Sequence, residues 1–76
     1  MTEMSEIQFQ VVADLLRSRE PVRSAVRLVL VMGHPTKYAA DFTGLTAQSV
    51  SNALRRYRYA HHRLTDAYSS TLTSNV

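Results

Sequence analysis

A glycine at position 44 separates two short helical patterns and restricts how the two helices can pack. A tight turn between crossed helices needs a residue that tolerates positive φ, small residues where the helices approach, and a buried aliphatic residue in the second helix. The chain meets these requirements with Ala39 and Ala40 as the small residues, Gly44 in the turn and Val50 as the buried aliphatic residue, and Leu45 and Ala53 also point inward. The pattern predicts a helix-turn-helix motif over about residues 36–55. A plain helical hairpin is the alternative.

The chain before this motif begins with a helical pattern. Ser5 and Gln8 form an S-x-x-Q capping box, which predicts a first helix from about Glu6 to near Ser18. We expect one apolar stripe of this helix to face the core. The stripe comprises Ile7, Val11, Val12, Leu15 and Leu16, with Phe9 packed beside it.

A second helical pattern begins at Pro21, a residue that suits the first turn of a helix. The run LVLVM at residues 28–32 could instead form a short strand, but the apolar pattern extends over about twelve residues, which favours a helix. Gly33 is the expected C-terminal cap, and His34-Pro35 interrupts the chain. The predicted buried stripe comprises Val22, Ala25, Val26, Val29 and Leu30.

The motif itself supplies the third and fourth helices. Thr36 is the predicted N-cap of the third helix, which ends at Thr43. Thr46 is the predicted N-cap of the fourth, which we expect to continue as far as Tyr68. The side chains expected to pack inward are Ala39, Ala40, Phe42, Val50, Ala53 and Leu54. Residues 69–76, SSTLTSNV, have the composition of a flexible tail.

Together these patterns predict an all-α fold, a small helical domain of four to five helices over residues 1–68. A chain of 76 residues without cysteine has a modest core and no disulfide to support it, so oligomerisation is a common remedy. No segment approaches the roughly 18 consecutive apolar residues that cross a membrane. The acidic, polar N-terminus is not a signal peptide. We therefore expect a cytoplasmic protein with no membrane partner.

The sequence contains no convincing catalytic or metal-binding arrangement. The absence of cysteine excludes thiol nucleophiles and zinc sites of the cysteine type. His61 and His62 are adjacent and leave a helix in different directions, and His34 has no metal-binding spacing to either. We expect a protein that is not an enzyme, with no catalytic residues, no metal, no cofactor and no small-molecule ligand.

The basic charge is concentrated in one part of the chain. Between Gly44 and Arg63 there are four arginines and no acidic residue, whereas the remainder has five basic and six acidic residues. The net charge of +3 therefore comes from the stretch that begins with the motif. A basic stripe on one helix is typical of nucleic-acid binding, although it is also typical of a solvated helix.

A DNA-reading helix would place its N-terminal half against base edges in the major groove. Asparagine and glutamine can bond adenine, arginine can bond guanine, and an alanine methyl group can contact thymine. The predicted base-reading residues are Thr46, Ala47, Gln48, Ser51, Asn52 and Arg55. The predicted phosphate contacts, at the start of the third helix and after the reading half of the fourth, are Thr36, Lys37, Tyr38, Arg56, Arg58 and Arg63.

The stretch AADFTGLTAQSVSNALRR resembles the TrfB/KorA-type plasmid transcriptional repressors, which have a close G-L-T-x-x-x-V-S-x-A pattern. The similarity extends to SEIQFQ and LVLVMGHP and covers about residues 4–60. The resemblance implies a repressor of plasmid operons that binds short palindromic operators in the bacterial cytoplasm, associated with the nucleoid or the plasmid. The family favours arginine at the position of Ala47 and glutamine at that of Asn52, so its operator sequence does not transfer.

A second stripe follows the motif, with apolar and aromatic residues at three- and four-residue spacing. It could pack on the first helix of the same chain, or pair with a second copy across a two-fold axis. We predict a homodimer whose interface comprises Tyr57, His61, Leu64 and Tyr68. The alternative function is a protein-interaction module on the same scaffold, for which Tyr57, Tyr59 and Tyr68, if exposed, would be suitable contacts. RNA binding is a third and weaker possibility.

Overall fold

The structure is a computed structural model that describes the backbone of residues 2–74 and the side chains of residues 2–67. The described chain forms four helices and no strand, which confirms the all-α prediction. The helices are α1 (Glu6–Leu15), α2 (Val22–Leu30), α3 (Thr36–Thr43) and α4 (Ala47–Ser74). None of the described helices is long and apolar enough to cross a membrane.

The capping box at the start of α1 is confirmed. The Gln8 amide donates to Ser5 Oγ at 3.2 Å, and the Ser5 amide donates to Gln8 Oε1 at 2.9 Å. The helix ends at Leu15, three residues before the predicted end near Ser18. The chain turns there because Arg17 adopts a left-handed conformation with φ of 53°, and the Ser18 amide donates back to the Ala13 carbonyl.

The predicted buried stripe of α1 is only partly correct, because Val12 is buried and Leu16 packs against the core but the other three members are exposed. Ile7, Val11 and Leu15 are 78%, 48% and 59% exposed, whereas the buried residues are Phe9, Val12 and Ala13. The helix has two apolar flanks, and only one of them can face the core. The neighbouring elements select the flank with the larger side chain, because the Phe9 ring stacks on Tyr57 of α4 at 5.7 Å.

The prediction of α2 as a buried helix is confirmed. Ala25, Val26 and Leu30 are buried, and Val22 and Val29 pack against the same core. Gly33 terminates the helix, as expected, although the C-cap residue itself is Val31. Gly33 has φ of 78°, its amide donates to the Val29 carbonyl, and the His34 amide donates to the Leu28 carbonyl.

Helix α3 has its predicted bounds but differs from prediction in two details. Its N-cap residue is Pro35, which makes no side-chain cap, because Thr36 already lies in the first turn of the helix. Phe42 is 70% exposed instead of packed, since Ala39 and Ala40 fill the face of α3 that approaches the core. Gly44 ends the helix with φ of 79°, as its predicted role in the turn requires.

Helix α4 begins as predicted, because the Ser49 amide donates to Thr46 Oγ1 at 3.0 Å. Val50, Ala53 and Leu54 are buried, and Leu45 packs against the core from the turn. The helix continues to Ser74, beyond the predicted end at Tyr68, so the helical backbone includes most of the segment predicted to be a tail. The last two residues lie outside the described part of the chain.

Tyr57 lies in the core and not at the surface. Its side chain is fully buried, and α4 packs against the other three helices. Tyr57 is therefore not available to a dimer interface or to an exposed set of tyrosines, so its assignment to each of these is wrong. The reason is that Phe9, which the sequence pattern places beside the buried face, forms the centre of that face and stacks on Tyr57.

Candidate nucleic-acid interface

The first three turns of α4 present a continuous exposed surface opposite the core. Val50, Leu54 and Tyr57 hold the helix against the domain, and the helical period places the remaining positions toward solvent. All six predicted base-reading residues are exposed: Thr46, Ala47, Gln48, Ser51, Asn52 and Arg55. The structure thus brings them together on one accessible face.

Gln48 and Asn52 are coupled to each other on this face. The Gln48 Nε2 group donates to Asn52 Oδ1 at 3.0 Å, one helical turn away. This bond leaves the Gln48 carbonyl oxygen as an acceptor and the Asn52 amide group as a donor. A donor beside an acceptor is the pair that adenine requires at its N7 and N6 positions in the major groove.

Thr46 is exposed and also caps the start of α4. Its hydroxyl oxygen accepts the Ser49 amide, and its hydroxyl group donates to Ser49 Oγ at 2.9 Å. The Thr46 hydroxyl is therefore already engaged in capping the helix. Ala47 and Ser51 have no such bond, and they flank the central row of Gln48, Asn52 and Arg55.

The arginines of α4 differ in their partners. Arg55 and Arg56 are exposed and form no salt bridge with any described residue. Arg58 instead donates two hydrogen bonds to Glu3, from Nε at 2.9 Å and from Nη2 at 2.6 Å. The Arg58 guanidinium holds the pKa of Glu3 below its usual value. Arg58 is thus partly neutralised within the chain, which reduces the charge that it can offer to a phosphate.

Two further ion pairs neutralise acidic residues on α1. Arg23 contacts Asp14 at 3.1 Å, and Arg27 donates through Nε to Glu6 at 2.7 Å. The third pair, between Arg58 and Glu3, removes another carboxylate. Six basic residues have no salt bridge to a described residue: Arg17, Arg19, Lys37, Arg55, Arg56 and Arg63. The unpaired positive charge therefore lies on α4, the start of α3 and the α1–α2 loop.

The loop arginines Arg17 and Arg19 were assigned no role from the sequence. In the structure they line a cavity of about 240 Å³ together with Arg56 of α4. A charge count along the chain could not reveal this cluster, because Arg56 is separated from the loop by more than thirty residues. The R-S-R spacing in a short loop was the available signal. The fold thus extends the basic surface of α4 beyond its own arginines.

Two hydroxyl groups at this cavity are buried without a protein partner, those of Ser18 and Tyr57. Burial raises the pKa of Tyr57 above its ordinary value of 10.0. The neighbouring Ser18 hydroxyl and the positive charges of Arg23 and Arg56 oppose this rise. The Tyr57 hydroxyl therefore remains protonated at neutral pH.

The start of α3 presents free backbone amides beside basic and aromatic side chains. Pro35 provides no side-chain cap, so the first-turn amides are available to an external acceptor. Lys37 and Tyr38 are exposed at this end, and Thr36 is partly exposed. The Tyr38 ring stacks on the His34 ring, with ring centres 4.2 Å apart, and on the Phe42 ring, with ring centres 6.0 Å apart. We call these three rings the α3 aromatic row.

The remaining predicted residues lie on the C-terminal half of α4. Arg63 is exposed, with its guanidinium carbon 6.0 Å from the centre of the Tyr59 ring. His61 and Leu64 line an open groove against α1. The side chain of Tyr68 lies outside the described residues. Among the described residues, no group of three histidine, aspartate or glutamate side chains lies close enough to hold a metal ion.

No protein-family model matches the chain, and a search of curated proteins finds no significant match. The similarity to TrfB/KorA-type repressors stays a prediction that rests on the motif around Gly44. The function must therefore be argued from the surface itself.

Proposed function

We propose that the protein is a sequence-specific DNA-binding repressor that uses α3 and α4 as a helix-turn-helix. The observation that carries the proposal is the exposed row of Gln48, Asn52 and Arg55 at the start of α4. Below this row, buried aliphatic residues hold the helix to the domain, and a three-residue connection containing Gly44 joins it to α3. An α-helix with its side chains is about 10–12 Å wide, which fits the major groove of B-DNA.

In this arrangement the bonded pair of Gln48 and Asn52 reads adenine, because it offers one donor and one acceptor in a restricted geometry. Arg55 lies one turn beyond Asn52 and is free of salt bridges, which suits bidentate bonding to guanine. The methyl group of Ala47 is available for contact with thymine. Discrimination between base pairs would thus come mainly from Gln48, Asn52 and Arg55.

Phosphate contacts would flank this reading surface. Arg56 and Arg63 follow it on α4, while Lys37 and the free amides of α3 precede it. Arg17 and Arg19 add positive charge beside Arg56. Arg58 would contribute less, since Glu3 already accepts two of its hydrogen bonds.

The biological setting follows from the resemblance and from general features of small DNA-binding domains. We propose that two copies bind a palindromic operator, with half-sites about 34 Å apart. We also propose that the protein acts in the bacterial cytoplasm on plasmid operons. A bound dimer at a promoter would repress by occupying the DNA.

The test begins by selecting bound sequences from a random DNA pool, followed by fluorescence anisotropy titrations with the recovered site. Gln48→Ala and Asn52→Ala should each weaken binding by about 1–3 kcal/mol and relax base preference. Arg56→Ala should weaken all sequences about equally and lower the salt dependence by about one phosphate contact. The double variant of Gln48 and Asn52 should lose less than the two single losses together, because each single variant already breaks their mutual bond.

Gln10→Ala is the matched control, because it removes an exposed amide side chain from α1 and leaves α4 unchanged. Its DNA affinity should equal that of the unmodified protein. Retention of specific binding after removal of both Gln48 and Asn52 would show that α4 does not read the bases. Failure to recover any preferred sequence would overturn sequence-specific binding altogether.

The α3 aromatic row favours a second candidate function, a protein-interaction module. Phe42 is 70% exposed and Tyr38 is 44% exposed, and aromatic side chains are enriched at protein interfaces. This function would be insensitive to salt and lost in Phe42→Ala. DNA binding would instead fall steeply as salt rises and would tolerate that substitution.

A further inference from the structure

A basic cavity of about 240 Å³ lies between the α1–α2 loop and α4. The polar groups that line it belong to Arg17, Ser18, Arg19, Glu20, Arg56 and Tyr57. Pockets for drug-sized ligands measure roughly 300–1,000 Å³, so the size of this cavity suits a smaller ligand.

The three arginines of this cavity are free of salt bridges. Arg17, Arg19 and Arg56 are exposed, and none of them pairs with a carboxylate among the described residues. Glu20 also lines the cavity, but its carboxylate accepts hydrogen bonds from the amide and the hydroxyl of Ser24 in the first turn of α2. Three positive charges and one negative charge therefore leave the cavity with a net positive charge of two units.

Two hydroxyl groups at the cavity add donors that the chain itself does not use. Ser18 Oγ and the Tyr57 hydroxyl are buried and form no hydrogen bond within the part of the chain that the structure describes. Because the hydroxyl groups are buried and the arginines are exposed, the hydroxyl groups form the floor of the cavity and the arginines form its rim. A buried hydroxyl without a partner is unfavourable, and each of these can donate to an acceptor that enters the cavity.

The backbone keeps an arginine at a position where glycine would be less strained. Arg17 has φ of 53°, and the Ser18 amide completes the turn by donating to the Ala13 carbonyl at 2.9 Å. Strained backbone of this kind is typical of ligand sites, and at position 17 it places a guanidinium group at the cavity.

We propose that this cavity binds a small dianion with a terminal phosphate group, either inorganic phosphate or a phosphate monoester. The guanidinium groups of Arg17, Arg19 and Arg56 donate to the phosphate oxygens from the rim. The hydroxyl groups of Ser18 and Tyr57 donate to them from the floor. A phosphate monoester has a charge of about −1.5 to −2 at pH 7, which matches the net charge of the cavity. A phosphodiester of the DNA backbone has a single negative charge and a sugar on either side, so it fits the charge and the buried floor less well.

This site was not expected from the sequence, which predicted no small-molecule ligand, because the cluster forms only where the loop meets α4. The inference also goes beyond the proposed function, in which Arg56 contacts a DNA phosphate. Its test contains no DNA, so either proposal can fail without the other.

The expected affinity is modest. The limit on binding energy per ligand atom confines a phosphate ion to a Kd of about 3 µM or weaker. The rim arginines are exposed, and screening by solvent and salt weakens their contribution, so we expect a Kd of about 0.1–1 mM.

The experiment titrates sodium phosphate into the isotope-labelled full chain and follows the backbone amide signals by nuclear magnetic resonance. Sodium chloride keeps the ionic strength constant, and a pH of about 8 keeps the phosphate dianionic. We expect saturating shifts at residues 17–20 and 56–57. Dimethyl phosphate, a monoanionic diester, should bind at least about tenfold more weakly than inorganic phosphate.

Variants identify the groups that hold the phosphate. Arg17→Gln, Arg19→Gln and Arg56→Gln should each weaken binding about five- to tenfold, because each loses a charge-assisted hydrogen bond. Tyr57→Phe should weaken binding about three- to tenfold. Because this variant also removes a buried hydroxyl without a protein partner, it should be at least as stable as the unmodified protein, so its lower affinity would not reflect unfolding. Arg27→Gln is the matched control, since it removes the same charge from α2 outside the cavity.

Three results would overturn the inference. One is a set of shifts that stays linear up to about 20 mM phosphate, far above the expected Kd, or that is equally large at Lys37 and Arg63. Another is unchanged affinity in the folded arginine variants or in Tyr57→Phe. The third is equal affinity for dimethyl phosphate and inorganic phosphate, which would assign the cavity to a phosphodiester of the DNA backbone.

Discussion

Replacing Tyr57 with phenylalanine tests the assignment of this side chain to the core. The ring is fully buried and stacks on Phe9, and no described protein atom forms a hydrogen bond with its hydroxyl group. A buried polar group without a partner costs about 1–3 kcal/mol. Tyr57 lines a cavity together with exposed residues of the α1–α2 loop, which places the cost at the lower end of this range. We therefore expect Tyr57→Phe to raise the free energy of unfolding by about 1 kcal/mol, or Tm by about 4–8 °C.

The measurement is thermal and urea unfolding followed by circular dichroism. Tyr59→Phe is the matched control, because the Tyr59 side chain is 66% exposed and loses only a solvated hydroxyl. Its stability should change by no more than about 0.5 kcal/mol. A loss of about 1 kcal/mol or more in Tyr57→Phe would refute the reasoning. It would mean that the hydroxyl makes a favourable hydrogen bond in the folded protein.

The same substitution has a signature at alkaline pH. Burial raises the pKa of Tyr57 above 10.0, so the folded state holds this proton more tightly than the unfolded state does. The associated stability is fully present below the unfolded pKa and is lost as pH rises through the higher folded pKa. The advantage of Tyr57→Phe over the unmodified protein should therefore widen above pH 10.

Three further predictions concern the two turns and one surface ion pair. Gly44→Ala should lower the free energy of unfolding by about 1–2 kcal/mol through its backbone alone, because an added Cβ meets no atom within 4 Å but φ is 79°. Arg17→Gly should raise the free energy of unfolding by about 0.5–1 kcal/mol, because Arg17 has a φ of 53°, a conformation that glycine adopts with less strain. Arg17→Ala removes the same charge but keeps the strained backbone, so it separates the two effects. Both are checked by thermal unfolding, and equal effects of the glycine and alanine variants at position 17 would show that no strain is relieved. The hydrogen bonds from Arg58 hold the pKa of Glu3 in the folded protein below the value of 4.5 for an unperturbed glutamate. The stabilisation from these bonds is therefore fully present above pH 4.5 and is lost as the pH falls through the lower pKa of Glu3 in the folded state. Glu3→Gln should reduce this acid sensitivity, and an unchanged pH profile of Tm would contradict it.

The local sequence was sufficient to predict where most helices begin and where α2 and α3 end. The Ser5 capping box, the glycines at 33 and 44 and the Thr46 cap act through neighbouring backbone atoms, so their effects do not depend on distant residues. The buried stripe of α2 was equally readable, because its opposite face carries the arginines. Exposure of the base-reading residues on α4 followed from helical periodicity once Val50, Ala53 and Leu54 were assigned to the core.

The tertiary structure decided the questions in which a local pattern allowed two answers. Helix α1 has two apolar flanks of similar quality, and stacking of Phe9 on Tyr57 selected the one that is buried. With Phe9 and Tyr57 stacked, Tyr57 is buried in the core, and Ile7, Val11 and Leu15 remain exposed beside the groove between α1 and α4.

Long-range pairing also decided the electrostatics, because charge along a chain does not show which charges meet in space. Glu3 approaches Arg58 across 55 residues and partly neutralises it, while Arg17 and Arg19 come to lie beside Arg56. The sequence by itself therefore determined an all-α fold of four to five helices, a glycine turn and a basic exposed helix. The packing of α1 against α2 and α4 determined which arginines remain unpaired and which apolar side chains stay exposed.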